Sequence, residues 1–297
     1  LRQHGGAILK PSSSEFIQIR ETRYHIRLWG EPAAPALFLL HGWMDVSASF
    51  QFLVDALRRD WRVIAPDWRG FGLSEWNRGD SYWFPDYIGD LEAILLHYQS
   101  DAPVNLLGHS LGGNIAALYA GIRPDRIARL INVEGFGLPR SAADDAPARY
   151  AKWLDQILDR PGLKPYANYG ELAQRLVSQN PRLGQAKADF LARHWGKPQG
   201  DAIILAGDPG HKLVNPTLYR LEEAMACWRR VSAPVLWVGA ADSFVIKGFA
   251  GRPEEYAARK ACFANITEHI IEDAGHMVHH DQPEILAGLI EDFVAAN

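Results

Sequence analysis

The 297-residue chain carries 31 Lys and Arg against 35 Asp and Glu, and its formal charge of −4 comes without any long basic run, which argues against a nucleic-acid partner or an anionic membrane surface. With 47% hydrophobic and 22% charged residues, 26 Gly and 18 Pro, it reads as a folded soluble chain rich in turns, long enough for two average domains or one large α/β domain with an insertion. Cys227 and Cys262 stand far apart and outside any C-x-x-C pattern, so neither a disulfide framework nor a structural zinc site is suggested.

The N-terminal "LRQHGGAILKPSSSEF" lacks the apolar stretch of a secretory signal, and no run approaches the roughly 18 apolar residues needed to span a bilayer. A reducing, cytoplasmic setting is expected. The sequon "NIT" at Asn265 would matter only in a secreted protein.

In chain order, "EFIQIR" and "YHIRLWG" alternate as a half-buried antiparallel pair does. Continuous apolar runs follow: "ALFLL" ending at Leu40, "RVIAP" at 62–66, "VNLLG" at 104–108, "LINVEG" at 130–135 and "PVLWVG" at 234–239. Such runs indicate strands buried on both faces, as in a parallel sheet. Helical patterns such as "SASFQFLVDALRRD" and "FPDYIGDLEAILLHYQ" lie between them, each about long enough for a right-handed crossover. The alternation stops between about Leu138 and Val231, where "ARYAKWLDQILDR", "YGELAQRLVSQN" and "NPTLYRLEEAMACWRR" are helical and no buried strand stands out. It resumes with "PVLWVG" and ends with "EHIIED" and the helix "QPEILAGLIEDFVAA". The expected fold is therefore α/β with a mainly parallel sheet flanked by helices: a core of residues 1–137 and 232–297, and a helical insertion of residues 138–231.

Gly108, Ser110 and Gly112 spell G-x-S-x-G between a buried strand and a helix, the setting in which a serine hydroxyl is lifted off a sheet as a nucleophile. The bland alternative is a glycine-rich turn. A nucleophilic serine needs a base, and the base an orienting acid. Asp242 follows "PVLWVG" and His276 follows "EHIIED", so both fall in loops at strand ends, and in a parallel sheet these share one edge with Ser110. Glu134, at the end of the strand after the elbow helix, is the alternative acid. Asp45, just before "VSASFQFL", reads as a helix cap or Asx-turn, and Asp208 and His211 in "GDPGHKL" as turn residues.

The motifs "HGWMD" at 41–45, "DWRGFGLS" at 67–74, "GHSLGG" at 108–113, "GAADSF" at 239–244 and "GHMVHHDQP" at 275–283 resemble those of the α/β-hydrolase fold. "HGW" followed by an acid, with "VEGFGLP" after the elbow helix, is most similar to the serine-hydrolase-like proteins of that superfamily. The resemblance covers all but the insertion, which lies where the family carries a cap. It implies Ser110 as nucleophile, His276 as general base, Asp242 as its partner, and an oxyanion hole from the backbone N–H groups of Trp43 and Leu111.

The expected activity is cofactor-independent cleavage of an ester or related acyl bond in a small to medium hydrophobic substrate. Carbon–carbon bond hydrolysis, acyl transfer and a slow-turnover small-molecule receptor remain as alternatives on the same triad. A serine at position 110 disfavours dehalogenase and epoxide-hydrolase chemistry, which needs a carboxylate nucleophile. His41 reads as a structural residue. Trp43, His109, Trp153, Trp195 and Phe244 are the candidate substrate contacts. No G-x-G-x-x-G fingerprint supports a nucleotide cofactor, and the cluster of His276, His279, His280 and Asp281 is read as no metal site, because no second ligand group stands out.

Overall fold

The computed structural model describes residues 3–4, 7–77, 79 and 81–296; the ends of the expected core at 1–2 and 297 lie outside them. Eight strands form one sheet: β1 (Ser12–Ile19), β2 (Thr22–Trp29), β3 (Ala36–Leu40), β4 (Arg62–Pro66), β5 (Val104–His109), β6 (Ile127–Val133), β7 (Val235–Ala240) and β8 (Ile266–Ile271). Their spatial order is β1-β2-β4-β3-β5-β6-β7-β8. From β4 to β8 every neighbouring pair is parallel, whereas β2 runs antiparallel to both β1 and β4. All six residues of β7 are buried, as are the last four of β3, which is why those stretches read as unbroken apolar runs.

Eleven helices are described: α1 (Gln51–Ala56), α2 (Phe84–Tyr98), α3 (Leu111–Ile122), α4 (Ala146–Leu158), α5 (Tyr169–Gln179), α6 (Gln185–Trp195), α7 (Leu221–Trp228), α8 (Phe244–Phe249), α9 (Pro253–Lys260), α10 (Val278–Asp281) and α11 (Pro283–Ala295). One face of the sheet packs α2, α3 and α7 through Leu91, Ile115 and Trp228, and the other packs α1 and α11 through Leu53 and Ile290. Between Gly112 and Gly121 every residue of α3 is buried, so this helix sits wholly inside the core.

Two elements differ from the expected pattern. "SASFQFLVDALRRD" forms a 3₁₀ turn over Ser47–Phe50 and then the short α1, which stops at Leu57. Beyond it the backbone N–H groups of Arg58 and Arg59 donate to the Glu291 carboxylate of α11 at 2.9 and 2.7 Å, a tertiary contact that competes with continued helix. The second is an unexpected antiparallel hairpin in the insertion, Gly196–Gln199 with Ala202–Leu205. Its strands are only four residues long and one contains Pro198, so the alternation signal is weak.

The hairpin joins α5 and α6 in a separate apolar cluster built on Tyr166, Leu172, Leu176, Leu191 and Ile203, to which α1 contributes Phe52. By contrast Leu221, Ala224 and Trp228 of α7 pack into the main core against α3. Gly121 permits that approach, since a Cβ there would lie 1.9 Å from the Cys227 carbonyl oxygen. Both cysteines are free thiols. No helix among the described residues is long and apolar enough to cross a membrane.

Candidate active site

Ser110 stands between β5 and α3 with φ 53° and ψ −112°, a backbone conformation that costs a non-glycine residue about 1–3 kcal/mol. Its surroundings enforce the turn. The Ser110 N–H donates to the Val133 carbonyl at 2.8 Å, and the Ser110 carbonyl accepts from Asn114 N–H at 3.0 Å. A Cβ on Gly108 would lie 2.3 Å from Gly112 O, and one on Gly112 would lie 2.2 Å from Leu40 O. These glycines are required by close backbone packing under the serine.

His276 reaches the turn from the loop between β8 and α10. Its Nε2 lies 2.9 Å from Ser110 Oγ and its Nδ1 lies 3.0 Å from Glu134 Oε2. A carboxylate only accepts, so Nδ1 carries the hydrogen and Nε2 is left to accept from the serine hydroxyl. Such a chain can take a proton from the hydroxyl and stabilise the imidazolium that forms.

Glu134 follows β6 with φ 60°, and its carboxylate is buried. Oε1 accepts from Ala240 N–H at 2.8 Å and Oε2 from the Ser243 hydroxyl, so the end of β7 clamps the group in place. Asp242, expected from the sequence to orient His276, does not occupy that position. It follows β7 as anticipated, but its carboxylate turns outward to Arg182 and to Lys247 Nζ at 3.4 Å. With Glu134 already filling the space at Nδ1, the partner of His276 is corrected to Glu134.

The backbone N–H groups of Trp43 and Leu111 flank the same turn, Trp43 in the loop after β3 and Leu111 as the first residue of α3. Neither amide is a donor in the hydrogen bonds of the described residues, as a helix-opening N–H and a free loop N–H would be. His41 holds its loop: Nδ1–H donates to Gly42 O at 2.7 Å, and Nε2 accepts from Trp68 N–H at 2.8 Å. Burial holds its pKa down to about 4, so it is neutral near neutral pH.

Ser110 opens into a cavity of about 530 Å³. Trp43 and Leu111 line it, with Tyr82, Trp83 and Tyr87 from the start of α2 and Leu138, Arg149, His211 and Leu213 from the insertion. Of the expected substrate contacts only Trp43 belongs to that wall. His109 is buried beneath the site, with Nε2–H donating to the His276 carbonyl at 2.8 Å. Phe244 is largely exposed and packs its ring on His276 with centroids 4.4 Å apart. Trp195 packs with the separate cluster of the insertion, and Trp153 sits on α4 outside the cavity lining.

Asp208 and His211 are turn residues as expected, in a 3₁₀ turn over Pro209–Lys212 that Asp208 caps, and the His211 ring is in addition sandwiched between Phe71 and Tyr82, each centroid 3.7 Å away. Its carbonyl accepts from Trp43 Nε1 at 3.3 Å, while Asp208 accepts from the Tyr82 hydroxyl at 2.6 Å. The aromatic run "SYWFPDY" at 81–87, directly before and within α2, was the signal that could have marked this wall. The histidines and aspartate of "HMVHHD" diverge: His276 goes to Ser110, His280 Nε2 to Ser49 Oγ at 2.6 Å, and Asp281 to Gly275 N–H at 2.8 Å.

The profile of the alpha/beta hydrolase fold family matches residues 35–283. The chain belongs to this family. A relative within it, a serine hydrolase-like protein of Danio rerio, is 26% identical over 310 aligned positions that span 99% of this chain and 92% of the relative. A solved hypothetical protein from Pseudomonas aeruginosa PAO1 superposes with a TM-score of 0.82 at 26% identity, covering 95% of this chain and 97% of the other. The thioesterase domain from the curacin biosynthetic pathway gives a TM-score of 0.84 at 21% identity over 95% of this chain and 99% of that domain, a likeness of fold alone.

Proposed function

We propose that this α/β hydrolase is a cofactor-independent serine hydrolase that cleaves a carboxylic ester or related acyl bond of a small to medium hydrophobic substrate. The observation that carries the reading is the chain from Ser110 Oγ to His276 at 2.9 Å and on to buried Glu134 at 3.0 Å, at the wall of the cavity. Ser110 attacks the acyl carbonyl as His276 takes its proton, and Glu134 stabilises the imidazolium. The N–H groups of Trp43 and Leu111 receive the oxyanion. His276 then returns the proton to the leaving alcohol and activates the water that releases the acid.

The insertion, residues 138–231, acts in this reading as a cap that sets specificity. It supplies Leu138, Arg149, His211 and Leu213 to the cavity, opposite the aromatic residues of α2. The volume of about 530 Å³ suits a ligand of modest size.

Steady-state turnover of p-nitrophenyl esters of increasing chain length, with wild type beside Ser110→Ala, tests the reading. Sustained turnover by wild type that Ser110→Ala abolishes is expected, and the favoured chain length sizes the acyl site. If both are equally inert on every ester while a small ligand raises the melting temperature without being consumed, the hydrolase reading fails and a receptor role replaces it.

A further inference from the structure

Behind His276, on the side away from the cavity, three buried side chains converge from distant parts of the chain. Asp45 comes from the loop after β3, His109 ends β5 and His279 lies in α10. One ligand atom from each lies within 4.8 Å of the others, and each residue is 2% exposed or less.

Their hydrogen bonding is unfinished. Asp45 Oδ1 accepts from Val46 N–H at 2.8 Å, and the Ser49 hydroxyl and the Trp195 indole N–H also face the buried carboxyl, though neither closes a full hydrogen bond to Oδ2. His109 Nε2 faces the His276 carbonyl, which only accepts, so Nε2 carries the hydrogen and the buried, unpartnered Nδ1 presents a bare lone pair. His279 Nε2 lies 3.9 Å from Asp45 Oδ2 and 3.3 Å from Ser49 Oγ, a hydroxyl shared with His280, and its Nδ1 is also unpartnered. Leaving such groups unsatisfied costs about 1–3 kcal/mol each, so a filler is expected.

We propose that Asp45, His109 and His279 form a buried site for one divalent transition ion of the zinc type. The donor set is two imidazole nitrogens and one carboxylate oxygen, the set such ions take. An imidazole whose other nitrogen donates to a backbone carbonyl, as His109 does, is in the tautomer and orientation of a metal ligand. Ligand bonds of about 2.0–2.2 Å put tetrahedral donors about 3.3 Å apart, so His279 and Asp45 at 3.9 Å, and donors as far as 4.8 Å apart in the cluster, must draw together by side-chain rotation on binding. Ser49 stands beside the remaining coordination position, which water would fill. The run "HMVHHD" hid this site because its other two ligands come from elsewhere in the fold. A bound ion would act on the loop of His276 through His109 and make no contact with substrate.

The full chain, stripped with a chelator, is loaded with Co²⁺ and freed of excess by gel filtration. Wild type is expected to retain one equivalent with the visible ligand-field absorption of a low-coordinate site, displaced by Zn²⁺. Asp45→Asn and His279→Gln, with folding checked by circular dichroism, should each weaken retention by at least about tenfold. A zinc-edge anomalous map of a soaked crystal gives a readout independent of the variants, with a peak expected between Asp45 and His109. Failure of wild type to retain cobalt, retention unchanged in both folded variants, or an anomalous peak only elsewhere overturns the proposal and leaves the site to water. None of these outcomes depends on ester hydrolysis.

Discussion

Glu134 and His276, 142 residues apart in sequence, meet at 3.0 Å, and the Glu134 carboxylate is sealed from solvent while Asp242 remains about half exposed. The carboxylate hydrogen-bonded to His276 therefore issues from the end of β6, one strand nearer to the Ser110 turn than the sequence suggested. A sealed carboxylate fixes one imidazole tautomer more firmly than an exposed one, because water cannot compete for either oxygen. The supports from Ala240 N–H and the Ser243 hydroxyl leave it little freedom to rotate.

The two acids are separable by mutation. Glu134→Gln keeps the shape but permits the wrong tautomer of His276, and should lower kcat by about 10³–10⁴-fold. Asp242→Asn disturbs only an exposed ion pair with Arg182 and Lys247, and should change kcat/KM by less than about fivefold. Steady-state kinetics on one ester decides the matter, and the reverse ranking of the two variants would return the role to Asp242.

The parallel sheet, the serine turn and His276 were legible in the sequence because each leaves a local signature: β-rich apolar runs, glycines that only a tight turn needs, and a histidine just past the last strand. The choice between Glu134 and Asp242 was not legible. Both lie at strand ends on the same edge, and only side-chain direction separates them, set by Ser243 and Ala240 on one side and Arg182 on the other. The cavity wall was read poorly for a similar reason. Trp195 is aromatic because the insertion has its own core, whereas the site draws on Tyr82 just before α2, on Tyr87 of α2 and on His211.

Gly112 should tolerate no side chain. A Cβ there meets the Leu40 carbonyl at 2.2 Å, and the obstacle is the backbone of β3, which cannot rotate away. Gly112→Ala is expected to destabilise the protein by at least about 3 kcal/mol, at the upper end of overpacking costs. Urea unfolding followed by tryptophan fluorescence measures it, and a midpoint equal to wild type would show that the elbow can shift.

His211 pins the insertion to the loops of the core through its two stacked rings. Each aromatic contact contributes about 0.5–1.5 kcal/mol beyond burial, so His211→Ala should cost about 1–3 kcal/mol. Because His211 also lines the cavity, the same change should raise KM for esters more than it lowers kcat. Equal KM values in the two proteins would mean that the stack has no part in shaping the cavity.

Stability should fall as the solution is acidified from pH 7 to pH 4.5. Burial lowers the pKa of His41 to about 4 and that of His211 to about 3, whereas the unfolded chain returns both to about 6.5. Between those values the unfolded state binds the extra protons. Stability from these two groups is thus fully present above pH 6.5 and is lost as pH falls toward their folded values, with a slope of up to about 1.4 kcal/mol per pH unit for each. Buried His280, lowered to about 3, has the same sign. Asp45 opposes them, because burial raises its pKa to about 7 and the folded state then holds a proton that the unfolded state releases. One carboxyl against three histidines leaves a net loss on acidification. Urea midpoints at pH 7.5, 6.5, 5.5 and 4.5 test the sign, and a midpoint that stays level or rises toward pH 4.5 would show that these histidines do not remain neutral and buried.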